Sequence, residues 1–142
     1  KSVLALDVGY GQLALRVRDD PRVEVLERTN VRHFELAEDC PPFDLVVADL
    51  SFISLRTVLA RLRDLARPGG KLLLLVKPQF ELGREAVGRG GVVRDPAERI
   101  RAAQLVRDEA QRLGLSPEGE TESVLAGPKG NRERFLWLAR PA

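Results

Sequence analysis

The sequence predicts a doubly wound α/β sheet, with strands and helices alternating along the chain. Three observations predict it. Leu72–Val76 is an apolar run without a polar break, the pattern of a strand buried on both faces in a helix-covered parallel sheet. Ser2–Val8 and Asp44–Asp49 are two more short apolar runs, each with an acid at or near its end. Between the runs lie amphipathic segments with a helical period, notably Val58, Leu59, Leu62, Leu65 and Ala66.

The elements follow in order. Ser2–Val8 is a strand, with Asp7 near its end. Gly9-Tyr10-Gly11 turns the chain, and Gln12–Arg18 is a short helix broken by Asp19-Asp20-Pro21. Val23–Leu26 is the second strand. Asp44–Asp49 is the third, expected to be buried. Thr57–Ala66 is a helix ended by Pro68-Gly69-Gly70. The Leu72–Val76 strand stops at Lys77-Pro78, because proline lacks an amide hydrogen and forces extended geometry on its predecessor. Pro78–Arg94 reads as a long loop. Asp95-Pro96 opens a helix with a capping acid, a proline in the first turn and Glu98 three residues on. Its apolar face is Ile100, Ala103, Val106, Ala110 and Leu113, and Gly114 suits its C-terminal cap. Two last strands are expected, around Val124 and over Arg134–Ala139.

Composition narrows the classes. The 142 residues suffice for one domain with a core, and 44% hydrophobic with 31% charged residues is ordinary globular material. No run reaches the length of a membrane span. The single cysteine, Cys40, forms no internal disulfide, which fits a reducing cytoplasm, and no Cys/His cluster has metal-ligand spacing. The net charge of +2 is too small to demand a nucleic-acid partner. His33 reads as a surface loop residue.

Several stretches are suited to chemistry. Lys77 ends a central strand, at the sheet edge where ligands bind in open α/β folds. Asp49 ends a neighbouring buried run, and end residues of adjacent parallel strands stand roughly 5 Å apart. An acid and an amine there tune each other, as a structural ion pair or as a catalytic one. Glu133 faces the same edge if the last strand runs antiparallel. Asp7-Val8-Gly9-Tyr10-Gly11 has the look of a nucleotide-binding turn, with Glu27 as the acid for a ribose, though its third glycine is missing. The loop from Leu82 to Arg94 holds Gly83, Gly88, Gly90 and Gly91 with Arg84, Arg89 and Arg94 against one acid, Glu85. It is either a clamp on phosphates or a solvated connector.

Six stretches together, DVGYGQL at Asp7–Leu13, DPRVEVLERTNVR at Asp20–Arg32, DLVVADLSFISL at Asp44–Leu55, LVKPQFELG at Leu75–Gly83, GGVVRDP at Gly90–Pro96 and GPKGNRERFLWL at Gly127–Leu138, resemble the TlyA family. These are hemolysin-like ribosomal RNA 2′-O-methyltransferases related to FtsJ-like enzymes. The resemblance implies a Rossmann-like methyltransferase sheet, S-adenosylmethionine as methyl donor and a ribose 2′-hydroxyl of ribosomal RNA, on a cytidine, as acceptor. It moves DVGYGQL to the second strand of the family's sheet. Asp7 then serves the ribose of S-adenosylmethionine and Asn30 its adenine. Asp49, Lys77 and Glu133 match three members of a Lys-Asp-Lys-Glu set, and Asp49 also lies near the transferred methyl. The first lysine, the first strand with its helix, the glycine-rich methionine-binding turn and an RNA-binding domain are expected upstream. Residues 1–142 are then a partial methyltransferase domain, truncated at its N-terminus. The missing strand would leave two apolar strand edges facing a gap, so that the edges close on each other, another chain fills the gap, or a separate upstream segment does. The partners implied are ribosomal RNA or ribosomal subunits. Two other readings compete: a noncatalytic RNA-binding or assembly module, and a membrane-lytic protein. No long apolar or strongly basic amphipathic segment supports lysis.

Overall fold

A computed structural model describes residues 1–142 and divides into two compact units, 1–39 and 40–142. The first unit is a strand–helix–strand turn. β1 (Val3–Leu6) and β2 (Val23–Leu26) pair in parallel, Val3 with Val23 through Leu6 with Leu26. The crossover between them holds only the single-turn helix α1 (Leu15–Arg18). The turns after the strands are laced together, with Arg28 N–H donating to Gly9 C=O and Thr29 N–H to Asp7 C=O, each at 3.0 Å. β1 has no second strand neighbour, so one of its edges is open.

The second unit holds a four-stranded mixed sheet in the order β3-β4-β6-β5. β3 (Phe43–Ala48) runs parallel to β4 (Ala66–Val76), and β6 (Arg134–Ala139) runs antiparallel to β4. β5 (Ser116–Glu122) is antiparallel to β6. One face is a continuous core. Ala48, Leu72, Leu74, Val76, Leu136 and Leu138 lie buried there, alternating along their strands as the period of two requires. Helices supply the rest of the core. A 3-10 helix (Leu55–Thr57) leads into α2 (Leu59–Leu65), which buries Leu59, Leu62 and Leu65. α4 (Pro96–Arg112) buries Ala102, Ala103, Val106 and Ala110. Asp95 caps α4, accepting from Ala97 N–H at 2.9 Å. Gly114, at φ +80°, closes it, as Leu115 N–H reaches back to Ala110 C=O at 2.9 Å.

Several expectations need correcting. β3 is an edge strand, not a buried one: Leu45 is 47% and Val47 63% exposed. The same open face leaves Leu73 and Leu75 half-buried, so the Leu72–Val76 run is fully covered on one side only. β4 also begins at Ala66, before Pro68-Gly69-Gly70. Those residues form a bulge, since Phe43 pairs with Ala66 but Leu45 with Lys71. The fifth strand is not around Val124, which lies beyond it and is 94% exposed. Its sequence, SPEGETE, has no apolar period because it is an edge strand held by ion pairs, Glu118 to Lys71 at 2.6 Å and Glu120 to Arg134 at 2.5 Å. Ile100 is exposed, too far round α4 from the buried stripe. Glu98 pairs with Arg101 at 2.6 Å rather than closing a capping box. The 78–94 segment is not all loop, since α3 (Pro78–Glu81) makes one turn directly after β4. His33 is exposed, as expected.

Candidate active site

Strand register assembles the site in the second unit. The β4–β6 ladder ends at Val76 paired with Arg134, so Lys77 and Glu133 are the next residues outward on facing strands. The β3–β4 ladder ends at Ala48 paired with Leu74, and Asp49 follows directly. Three chain segments therefore bring their first residues beyond the sheet to one edge, the carboxyl end of the parallel pair. The antiparallel course of β6 is the condition on which Glu133 joins the other two.

Lys77 is the hub. Its Nζ lies 2.6 Å from Asp49 Oδ1 and donates to Ser51 Oγ at 3.0 Å. The lysine side chain is 12% exposed while that of Asp49 is 66% exposed, so the amine is held from below and the acid opens to solvent. Glu133 is buried, and burial pushes its carboxyl above the usual carboxylate range. The Lys77 charge pulls it back, the Asp49 charge adds to the rise, and a hydrogen bond from the Gln79 amide favours the ionised form. Glu133 Oε1 and Gln79 Oε1 are both buried without a hydrogen-bond partner. Gly127 packs against this carboxylate so closely that a Cβ there would stand 2.6 Å from Oε1. The arrangement sets an amine against an exposed acid and a hydroxyl, within the electrostatic reach of a buried carboxyl.

Two polar anchors within this unit were not foreseen. Asn131, 2% exposed, accepts from Val93 N–H at 2.9 Å and donates to Gly91 C=O at 2.8 Å. It fastens the glycine-rich loop to the segment that carries Glu133. Glu81 is also buried and accepts from Ser54 Oγ and Leu55 N–H. The signal for Asn131 was its place in GNRE, but its partners lie 38 and 40 residues away, beyond the reach of any local pattern. Arg84, Arg89 and Arg94 are all exposed, and Lys129 lies beside Gly91.

In the first unit, Asp7 stands just past β1. Its Oδ1 accepts from Gly9 N–H at 2.6 Å, which fixes the turn and leaves Oδ2 free. Asn30, just past β2, accepts from Arg32 N–H at 2.9 Å in the same kind of local turn. Both are exposed. Glu27 is already engaged: it accepts from Gly11 N–H at 2.7 Å and pairs with Arg18. That commits Glu27 to the turn and leaves Asp7 as the available acid. No group of three or more His, Cys, Asp or Glu side chains is placed to hold a metal.

Residues 1–140 match the FtsJ-like methyltransferase family. The chain belongs to that family. Among curated relatives it is 54% identical to the 16S/23S rRNA (cytidine-2′-O)-methyltransferase TlyA of Mycobacterium tuberculosis, over 96% of this chain and 51% of that one. It is 33% identical to the 23S rRNA (cytidine-2′-O)-methyltransferase TlyA of Campylobacter jejuni, over 97% of this chain and 53% of that one. The chain thus spans about half the length of these relatives. A solved structure described as a hemolysin from Lactococcus lactis superposes with a TM-score of 0.92 at 41% identity, covering 99% of this chain and 67% of that one. The mixed α/β sheet is accordingly the FtsJ-like methyltransferase fold. No helix is long and apolar enough to cross a membrane.

Proposed function

We propose that this chain forms the catalytic part of an S-adenosylmethionine-dependent RNA methyltransferase acting on a ribose 2′-hydroxyl of ribosomal RNA, with a cytidine as the target and the cytoplasm as its place. The observation that carries the reading is the Lys77 amine held between Asp49 and Ser51 beside a buried Glu133. Lys77 takes the hydroxyl proton as the oxygen becomes nucleophilic. Asp49, 2.6 Å from the amine, offsets the charge of the ammonium so formed. Glu133, buried beside Lys77, acts on the amine through its charge and helps to position it. Alignment of this kind supplies a large share of the rate in a two-substrate transfer.

The free Oδ2 of Asp7 and the exposed amide of Asn30 fit the adenosine half of the cofactor, as acceptor for ribose hydroxyls and donor to the adenine ring. S-adenosylmethionine, when bound, supplies the methyl on its sulfonium. Arg84, Arg89 and Arg94 contact the RNA backbone. Residues 1–142 are a partial methyltransferase domain, and β1 and β3, each in its own sheet, keep an edge open to further strand pairing.

The test is methyl transfer to ribosomal RNA or ribosomal subunits by the full-length protein. Lys77→Ala should lower the rate by about 10²–10⁴-fold, the range for loss of a general base, with an unchanged circular dichroism spectrum. Near-normal turnover in that variant would remove Lys77 from the chemistry. RNA binding by a wild-type protein that transfers no methyl would favour a noncatalytic module.

A further inference from the structure

We propose that Glu81 is a positioning residue that sets the geometry of the Asp49–Ser51–Lys77 contact; the proposal rests on the methyl-transfer reading above. Glu81 ends α3, the single turn that starts right after Lys77. Its side chain is 1% exposed. A buried carboxylate is costly unless its oxygens are satisfied, and here both are. Oε1 accepts from Leu55 N–H at 2.7 Å, and Oε2 accepts from Ser54 Oγ at 2.6 Å, with Arg56 Nε at 3.4 Å. Arg56 also donates to Glu81 C=O at 2.9 Å.

Ser54 and Leu55 end the segment that begins at Asp49. That segment is therefore pinned at both ends, by the β3–β4 ladder at Ala48 and by Glu81 at Ser54 and Leu55. Between the pins Phe52 sits at φ +64°, a conformation unfavourable for a bulky side chain. Its ring leans on Phe80 of the same α3, with centroids 5.3 Å apart. Such strain persists only where the surroundings over-determine it. Glu81 thus ties the loop bearing Asp49 and Ser51 to the turn that begins at Lys77, and the separation of acid and amine follows from that tie.

The experiment uses the full-length protein, with Glu81→Ala, Glu81→Gln and Ser54→Ala compared with wild type in steady-state methyl transfer to ribosomal RNA and in calorimetric titration with S-adenosylmethionine. Glu81→Ala should lower kcat by about 30-fold or more, with the KM for RNA and the Kd for S-adenosylmethionine within about threefold. Glu81→Gln should restore most of kcat. The amide oxygen still accepts from Leu55, and the Ser54 hydroxyl can turn to accept from the amide nitrogen. Ser54→Ala, which keeps Glu81 and its Leu55 contact, should fall between. A folded Glu81→Ala enzyme with wild-type kcat overturns the proposal, and so does a Gln variant as impaired as a folded Ala variant. If Glu81→Ala does not fold, Ser54→Ala decides, and wild-type kcat there overturns it. If the wild-type protein transfers no methyl, the functional reading fails on its own. The crystal structure of Ser54→Ala then judges the positioning claim. A lengthened Lys77–Asp49 contact supports it, and an unchanged one rejects it.

Discussion

The two units of the chain are stabilised in different ways. In residues 40–142 the sheet rests on Leu59, Leu62, Leu72, Leu74, Val106, Leu136 and Leu138, all buried. In residues 1–39 the only buried apolar side chain is Val31. That unit is held by exposed polar contacts instead: Asp7 to Gly9, Glu27 to Gly11, Asn30 to Arg32, and Asp20 to Arg22. Apolar burial is cooperative and strong, whereas exposed polar contacts are individually weak. The unit carrying Lys77 is therefore built to hold a geometry. The unit carrying Asp7 and Asn30 has the right groups but little of its own to keep them rigid.

The largest effect should appear in local stability. In the 142-residue chain, hydrogen exchange at Ala5 and Val25 should be at least about 100-fold faster than at Leu74 and Leu136, because opening β1 and β2 exposes little new apolar surface. The same chain should bind S-adenosylmethionine weakly, with affinity recovering in the full-length protein. Equal protection in the two units, or micromolar binding by the 142-residue chain, would erase the contrast.

Core truncations sharpen the comparison. Leu74→Ala removes a fully buried side chain from β4 and should destabilise unit 40–142 by about 2–5 kcal/mol. Val25→Ala, in the half-buried β2, should cost under about 1 kcal/mol. Urea titrations of both variants measure the difference, and comparable losses would show a core in residues 1–39 that burial does not reveal.

Much of this was legible in the sequence. An apolar run ending in Lys77-Pro78 and another ending in Asp49 were enough to put both residues at one sheet edge, because strands joined by a helix pair in parallel and end on the same side. Glu133 depended on the direction of a strand, which alternation of residues does not encode. Glu81, Gln79 and Asn131 were not foreseen. They act through partners far along the chain, and only the fold shows that a buried carboxylate at residue 81 meets a serine at 54. β5 was misplaced for a related reason. Its stability comes from charges paired across strands, so it carries no hydrophobic pattern, whereas the exposed Val124 and Leu125 imitate one.

The glycine-rich loop gives a smaller effect. Arg84, Arg89 and Arg94 are exposed and none pairs with an acid, so their charge is available to a phosphate backbone. Replacing all three with Ala should weaken RNA binding by the full-length protein and flatten its salt dependence by up to about three counterions. Lys77→Ala should leave that slope alone. An unchanged slope in the triple variant would make the loop a connector only.

The smallest effect, and the one that best separates stability from function within unit 40–142, is at Glu133. Burial raises its carboxyl above the unfolded value. Below the unfolded value both states are protonated and the group is neutral in its effect. As pH rises from the unfolded value to the raised folded one, the unfolded state ionises first and stability is lost, and the loss is complete once the buried carboxyl has ionised too. Glu133→Gln removes that charge and keeps a hydrogen-bonding side chain beside Gln79. The variant should therefore be slightly more stable than wild type at neutral pH, and the advantage should vanish in acid. Methyl transfer should fall at the same time, because the side chain beside Lys77 no longer carries a carboxylate. Thermal melts between mildly acid and neutral pH measure the first part. A variant less stable at neutral pH would mean that the attraction between Glu133 and Lys77 outweighs the cost of burial, and the carboxylate would then be a structural partner of the lysine rather than a charge kept at a cost in stability.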